Sequence, residues 1–175
     1  MISRALGRDI RNEGSHNSGA SNALRVLGTK IGLLTFAGDC LKAVCAVLIG
    51  KGLAGDNGGL IAGLFVVIGH NWPVFFRFKG GKGIACSVGI VLTMFPLYGG
   101  IAVLCGIGMI AWTKYISVGS LTILSVFSVL MLIFKPIWPY FIWALVLTGL
   151  AFYRHRTNIA RLHAGKENKI SFKKK

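Results

Sequence analysis

The sequence is poor in acidic residues and lacks the cysteine spacing of a disulfide framework or metal site. Only 5 of its 175 residues are Asp or Glu, against 20 Lys and Arg, so the formal net charge is +15. The four cysteines form no CxxC pair, and no histidine lies at ligand spacing from them. They lie in or beside apolar segments, as small packing residues do. No disulfide framework and no metal site are therefore predicted.

The N-terminal segment, residues 1–30, lacks the apolar core of a signal peptide. We therefore expect it to stay on the cytosolic side, where it is made. The excess of cations does not favour nucleic acid, because the charges are confined to the termini and to connections between apolar blocks. That distribution favours an anionic membrane surface or an anionic substrate.

Long apolar blocks dominate the rest of the chain, which is 54% hydrophobic with a mean hydropathy of +0.66. A spanning helix needs about 20 apolar residues, and the uncharged stretch 84–112 is too long for one helix and is interrupted by Pro96. The pattern predicts one all-α integral membrane domain, 1–175, made of a motif segment 1–30, a bundle 31–153 and a basic tail 154–175. About six transmembrane helices, some short or broken, are predicted at 31–50, 58–76 with an end or break near 70–73, 84–95, 101–112, 117–134 and 137–153.

The cations are distributed unevenly between the two predicted sides. With the N-terminus inside, 17 of the 20 cations are cytosolic, only Lys51 and Lys135 are outside, and Lys42 lies within a span. This positive-inside bias predicts a multi-pass protein of the inner membrane, with both termini and three polar segments on the cytosolic face. Within the first span, Asp39 and Lys42 are three residues apart and can pair, either as structural glue or in a functional site.

The three polar segments are candidates for binding phosphate. Residues 69–83 end in Lys79-Gly-Gly-Lys-Gly, and residues 13–25 concentrate hydroxyls, amides and glycines before Arg25. Glycines allow close backbone approach to an anion, and cations match its charge. Residues 154–167 add His155, whose ordinary pKa suits proton exchange near neutral pH, and Asn158. The alternative for these cations is simple contact with lipid headgroups.

These segments resemble the three motifs of the bacterial membrane glycerol-3-phosphate acyltransferases that use acyl phosphate. The first family motif, Gly-Ser-Gly-Asn-x-Gly-Ala-Thr-Asn-x-x-Arg, resembles residues 14–25, except that His16 replaces a glycine and Ser21 a threonine. The second, Gly-His-x-x-Pro-x-Phe-x-x-Phe-Lys-Gly-Gly-Lys-Gly, is matched by 69–83, and the third, His-x-x-Asn-Ile-x-Arg-Leu-x-x-Gly-x-Glu, by 155–167. The family has a further spanning helix before its first motif, which this sequence does not show.

The resemblance implies transfer of a fatty acyl group from acyl phosphate to the 1-hydroxyl of glycerol 3-phosphate. The products are lysophosphatidic acid and phosphate, in the first acylation of phospholipid synthesis. Because acyl phosphate is already activated, no cofactor, metal or nucleotide is implied, and the partners are the two substrates and the bilayer. The residues expected to act in catalysis are Ser15, Arg25, Lys82, His155 and Asn158. Those expected to bind substrate are Asn17, Ser21, Asn22, His70, Lys79, Gly80, Gly81, Gly83, Ser117 and Arg161.

Three other classes of function are alternatives to this one. A Walker nucleotide site does not fit, because Lys82 is followed by Gly83 and the required upstream glycine position is Phe76. A membrane transporter of phosphate or another anion stays open, since cations at a broken helix suit transport, although no inverted repeat is evident. An inactive, truncated homologue is the third possibility.

Overall fold

The structure is a computed structural model that describes residues 9–135 and 137–170. Arg4, Arg8, Pro136 and Lys173–Lys175, which entered the charge and boundary predictions, lie outside the described residues. Within the described part the chain forms seven α-helices and two 3₁₀ turns, at Ile10–Asn12 and Val74–Phe76. The helices are α1 (Ala20–Leu27), α2 (Thr29–Asn71), α3 (Ile84–Met94), α4 (Pro96–Thr113), α5 (Ile116–Phe134), α6 (Trp138–Arg154) and α7 (Arg156–His163).

Helix α2 is a helical hairpin with two legs. Ala54 and Gly55 have non-helical backbone angles, and Gly55 adopts the left-handed φ of +62° that suits glycine. The legs run antiparallel: a Cβ on Gly58 would lie 2.1 Å from the carbonyl oxygen of Gly50. The connection between the first two predicted spans, 51–57, is therefore confined to two non-helical residues, and those spans correspond to the two legs.

Helix α3 packs against both legs of this hairpin. The Cys40 thiol donates to the carbonyl of Ala85 at 3.0 Å, and a Cβ on Gly89 would lie 2.6 Å from the carbonyl oxygen of Cys40. The helix ends at Phe95, and α4 begins at Pro96, where a missing N–H costs nothing in the first turn. The break predicted in this stretch is thus confirmed, and it gives α3 only 11 residues.

Helices α5 and α6 complete the bundle and connect it back to the hairpin. Thr148 on α6 donates to the carbonyl of Leu124 on α5 at 3.0 Å. The indole of Trp143 donates to the carbonyl of Leu60 on the second leg of α2 at 2.9 Å. Phe127, Leu124 and Met131 are fully buried between these elements. Thr148 and Trp143 inside the bundle are therefore paired with backbone carbonyls, as apolar surroundings require.

The outer surface of the bundle is apolar. Large apolar side chains are exposed there: Leu53 by 83%, Phe65 by 65%, Leu104 by 69% and Trp112 by 80%. Contact of these side chains with water is unfavourable, and only a lipid environment removes this cost. Among the described helices, three segments are long and apolar enough to cross a membrane: Thr29–Phe76 with both legs, Pro96–Thr113 and Ile116–Phe134. The predicted all-α membrane architecture is confirmed, but α1 and α7, which flank the bundle, were not predicted as helices.

The crossing of α4 and α5 depends on two glycines and generates a prediction. A Cβ on Gly106 would lie 2.2 Å from Ile123 and 2.8 Å from the carbonyl oxygen of Gly119. We expect Gly106→Ala to force the helices apart and to cost about 1–3 kcal/mol, the usual range for overpacking. Thermal unfolding in detergent should show this loss of stability as a lower Tm than that of the unsubstituted protein. Gly108→Ala is the matched control, because nothing lies within 4 Å of that position. Equal Tm values for the two variants would contradict the close crossing.

Candidate active site

A cavity of about 390 Å³ lies where the three motifs meet at one end of the bundle, which we call the motif face. Eleven of the fifteen predicted site residues line it. They are Ser15, Asn17, Ser21, Asn22, Arg25, His70, Lys82, Gly83, Ser117, His155 and Asn158. Segments separated by up to 143 positions therefore share one cavity, as the sequence predicted. Lys79, Gly80, Gly81 and Arg161 do not line it.

Asn22 holds the first motif together. Its side-chain amide donates to the carbonyls of Ile10, Glu13 and Asn17 at 2.7, 3.0 and 2.9 Å, and its oxygen accepts from the Ser15 amide at 2.8 Å. The side chain is 1% exposed. These four bonds use the hydrogen-bonding groups predicted to bind phosphate, so Asn22 shapes the loop that carries Ser15.

The substitution of His16 for the motif glycine has a visible consequence. His16 adopts a left-handed φ of +55°, which explains why glycine suits this position. Its Nδ1 lies 3.2 Å from the carbonyl oxygen of Arg11, and its side chain faces away from the central cavity. The change from glycine therefore does not obstruct the cavity.

The two middle glycines of the second motif allow the loop to approach His70. A Cβ on Gly80 would lie 2.1 Å from the His70 carbonyl oxygen, and one on Gly81 would lie 2.0 Å from His70 Nε2. The Gly81 amide donates to the His70 carbonyl at 3.1 Å, and Arg154 donates to the carbonyl of Gly81 at 2.7 Å. The Gly81 N–H is therefore occupied here, and these glycines shape the loop that presents Lys82. Their role in binding substrate stays a prediction.

Lys82 connects the second motif to the third. Its ammonium donates to Asn158, whose amide nitrogen donates to Glu167 Oε1 at 2.6 Å. Burial, followed by the positive charge of Arg161, lowers the pKa of Lys82 to about 8, and the carboxylate of Glu167 opposes this. Lys82 is thus a cation held in a partly desolvated place, where its attraction to an anion is strong.

Glu167 is the functional residue that the sequence reasoning missed. Its carboxylate accepts from Ser117 Oγ at 3.0 Å, Asn158 Nδ2 at 2.6 Å and Arg161 Nε at 2.8 Å, and its side chain is 5% exposed. Burial favours the neutral acid, but these hydrogen bonds hold the pKa of Glu167 below its usual value. Ser117 and Arg161 are therefore positioned through this carboxylate. In the sequence, the feature that pointed to Glu167 was its position as the final residue of the third motif.

His155 is 3% exposed and lies just after α6 ends. Its Nδ1 lies 2.8 Å from the carbonyl oxygen of Ala151, so Nδ1 carries the proton and Nε2 is the acceptor. Burial and the charge of Lys82 lower the pKa of His155 to about 4. The imidazole is therefore neutral at pH 7, and Nε2 can accept a hydrogen bond from a hydroxyl group.

The inner part of the cavity is apolar. Its walls come from α3, α4 and α5, at Val88, Leu92, Val103, Ile107, Ile110 and Ile123. The mouth carries Arg25, Lys82 and the polar groups of the three motifs. Sequence reasoning predicted an apolar region beside the cations, but it did not identify these side chains, because they depend on which helix faces meet. The cavity suits a molecule with an anionic head and a hydrocarbon tail.

Asp39, Lys42 and His70 form a network at the side of the cavity. Lys42 Nζ donates to Asp39 Oδ1 at 2.6 Å and to His70 Nδ1 at 2.7 Å. The pairing of Asp39 with Lys42 predicted from their spacing is thus confirmed. Asp39, His70 and Cys86 have ligand atoms within 4.8 Å of one another, but the lysine ammonium already supplies the positive charge at this place. We therefore interpret the cluster as an ion pair that fixes the His70 ring under Gly81.

Fold and site together define a helical integral membrane protein with a binding cavity for an amphiphilic anion. Residues 1–165 match the family model described as glycerol-3-phosphate acyltransferase. The glycerol-3-phosphate acyltransferase of Thermoanaerobacter sp. (strain X514) is 54% identical over 165 residues, covering 94% of this chain and 83% of the relative. The glycerol-3-phosphate acyltransferase 2 of Moorella thermoacetica is 43% identical over 171 residues, with 97% and 88% covered. The chain belongs to the glycerol-3-phosphate acyltransferase family.

Solved structures support the same conclusion. The glycerol 3-phosphate form of PlsY (YgiH), an integral membrane glycerol 3-phosphate acyltransferase, has a TM-score of 0.92 and 37% identity, covering 97% of this chain and 86% of that one. Its lysophosphatidic acid form has a TM-score of 0.89 and 35% identity, with 98% and 86% covered. The family, the acyltransferase class and the membrane architecture predicted from the motifs are thereby confirmed.

Proposed function

We propose that this protein transfers a fatty acyl group from acyl phosphate to the 1-hydroxyl of glycerol 3-phosphate. The observation that carries the proposal is one cavity, lined by all three motifs, that has an apolar interior. Its cations Arg25 and Lys82 lie beside the carboxylates of Asp39 and Glu167, which are paired with Lys42 and Arg161. One substrate has a hydrocarbon tail and both have a phosphate, so the cavity matches the pair in shape and charge. The acyl chain occupies the groove of α3, α4 and α5, and the phosphates lie among Arg25 and Lys82.

Lys82 is proposed to hold the phosphate of glycerol 3-phosphate. Its ammonium donates to Asn158, which is held in turn by Glu167. A phosphate is a stronger acceptor than an amide oxygen, and it brings negative charge to a place where burial makes charge pairing effective. Ser15 and Arg25 stabilise the donor phosphate or the oxyanion that develops on the acyl carbonyl.

The chemical step needs one proton to leave the attacking hydroxyl. The hydroxyl oxygen bonds to the acyl carbon, the bond from that carbon to the phosphate oxygen breaks, and the phosphate leaves with the electron pair. A phosphate monoester has a second pKa of about 6, whereas the pKa of His155 is about 4. The proton is therefore better accommodated on a phosphate oxygen than on the imidazole. His155 Nε2 aims the hydroxyl by accepting its hydrogen bond before attack, and as the hydroxyl oxygen bonds to the acyl carbon its proton shifts to a phosphate oxygen.

The protein lies in the membrane as a multi-pass helical bundle, and we infer that this is the inner membrane with the motif face in the cytosol. The support is the positive-inside bias of the sequence, which assigns 17 of 20 cations to that side. Glycerol 3-phosphate is charged and cannot cross hydrocarbon unaided, so a cytosolic mouth gives it direct access.

The direct test uses the protein purified and reconstituted in vesicles. Incubation with palmitoyl phosphate and labelled glycerol 3-phosphate is expected to give labelled lysophosphatidic acid and one phosphate per product. Lys82→Ala is expected to reduce turnover by at least 100-fold, since it removes the cation at the mouth. Uptake of glycerol 3-phosphate into vesicles without acylation would instead favour transport, and absence of both would favour an inactive homologue.

The pKa of Lys82 gives a prediction for the alkaline limb of activity. Below about pH 8 the ammonium is charged and binds phosphate; above it the charge is lost. We therefore expect kcat/KM for glycerol 3-phosphate to fall as pH rises through about 8, where the substrate phosphate is already fully ionised. Lys82→Arg keeps its charge and is expected to lack this limb, whatever its absolute rate. Parallel profiles for the two proteins would exclude Lys82 as the group that titrates.

The neutral state of His155 gives a second pH prediction. If His155 only positions the hydroxyl, His155→Gln should lower kcat by about 10- to 100-fold and leave the shape of the pH profile unchanged, because the glutamine oxygen is also an acceptor. Steady-state rates measured from about pH 3 to 9, a range that includes the pKa of His155 of about 4, test this. Loss of an ionisation in the His155→Gln profile, compared with the unsubstituted protein, would make His155 the base.

A further inference from the structure

A second cavity, of about 770 Å³, lies on the motif face outside the central one. The exposed turn after α2 forms one wall with Phe75, Arg77, Phe78 and Lys79, and the other wall comes from Arg11 and Arg154. We call it the outer pocket. Lys79, which the sequence assigned to substrate, lines this pocket rather than the central cavity. The two cavities share Asn17 among their lining residues.

The charge of the outer pocket is positive. Four of its eleven lining residues are Arg or Lys, and none is acidic. Arg11 is paired with Asp9 at 2.8 Å, and Arg154 is engaged with the carbonyls of Gly80 and Gly81. Arg77 and Lys79 are exposed and offer their charge to a ligand. The pocket therefore favours an anion, and phosphate groups match these side chains well.

The same turn is strongly apolar. Phe75 is 96% exposed, Val74 68% and Phe78 60%, and the turn follows directly on the apolar second leg of α2. Aromatic side chains at the end of a span lie at the level of the lipid headgroups. A soluble anion would use the cations and leave these rings in water, whereas a lipid would cover both.

The backbone of this turn is strained at two consecutive residues. Arg77 and Phe78 are consecutive non-glycine residues with left-handed φ values of +54° and +58°. The amides of Arg77, Phe78 and Lys79 all donate to carbonyls within the turn, at 3.0 to 3.2 Å. Such strain persists where the surroundings fix it, and it is concentrated at ligand-binding sites. Because the amides are already bonded, side chains are the groups left to contact a ligand.

We propose that the outer pocket binds the headgroup of an anionic phospholipid from the surrounding bilayer, with its phosphate between Arg77 and Lys79 and its acyl chains along Phe75 and Phe78. The bound lipid also lies beside Arg154, which donates to Gly80 and Gly81 and lies over the Trp72 ring at 5.1 Å. The lipid therefore contacts the loop that presents Lys82.

Lipid retention tests the proposal. The full chain is reconstituted in vesicles of phosphatidylcholine with 30% phosphatidylglycerol and extracted in mild detergent, and retained lipid is counted by mass spectrometry. About one phosphatidylglycerol per chain is expected. The double variant Arg77→Gln/Lys79→Gln should weaken retention about 30-fold, because each cation beside an anionic lipid strengthens binding roughly fivefold. The matched control is Lys30→Gln/Lys166→Gln, which removes two exposed cations elsewhere and should retain the lipid.

A second variant separates a lipid from a soluble phosphate. Phe75→Ser alters a side chain that is 96% exposed, so folding should be unaffected and Tm unchanged. We expect it to lower retention of phosphatidylglycerol at least threefold. Displacement of the lipid by 10 mM inorganic phosphate, with no effect of Phe75→Ser, would show a free-phosphate site and overturn the proposal. Equal retention by the Arg77/Lys79 variant and its control would also overturn it.

Discussion

The contact of Lys82 with Asn158, which Glu167 holds in turn, is the interaction on which the site depends. It joins a loop that follows α2 to a segment that follows α6, 76 positions further along the chain. A cation in a partly desolvated place must be compensated, and here an amide oxygen and a nearby carboxylate do so. Because an amide oxygen compensates the charge more weakly than a phosphate would, Lys82 favours an anionic ligand. The same residues that stabilise the fold at this end are therefore the ones proposed to bind the ligand.

The bundle positions these loops by bringing backbones close together. Gly50 and Gly58 allow the α2 legs to approach, Gly89 brings α3 against the first leg, and Gly106 and Gly119 set the crossing of α4 and α5. In a bilayer the hydrophobic effect gives little driving force for helices to associate, so close backbone packing contributes much of the stability of the bundle. Helix α3 is short because a new helix begins at Pro96, and it provides one wall of the central cavity. The close backbone packing that builds the bundle thus also brings the walls of this cavity together.

Most of the fold and the composition of the site were predictable from the sequence, because apolar length, cation bias and motif order are local properties. Asp39 and Lys42 pair because their spacing of three places them on one helix face. The role of Glu167 could not be predicted, since its three partners Ser117, Asn158 and Arg161 meet only in the folded chain. Asn22 was predicted to contact substrate, but its burial and four hydrogen bonds turn it inward to its own loop. The residue types in the sequence indicated the chemistry of the site, whereas the direction in which each side chain points could be known only from the structure.

Arg154 shows how the two cavities of the motif face can influence each other. Its guanidinium donates to the carbonyls of Gly80 and Gly81, and it precedes His155 in the chain. A change in its position would therefore reach both the loop that presents Lys82 and the histidine that aims the hydroxyl. Since it also lines the outer pocket, a bound anion there would compete with those carbonyls for its donors. A lipid bound in the outer pocket, as proposed above, would therefore act on the loop that presents Lys82 through this one side chain.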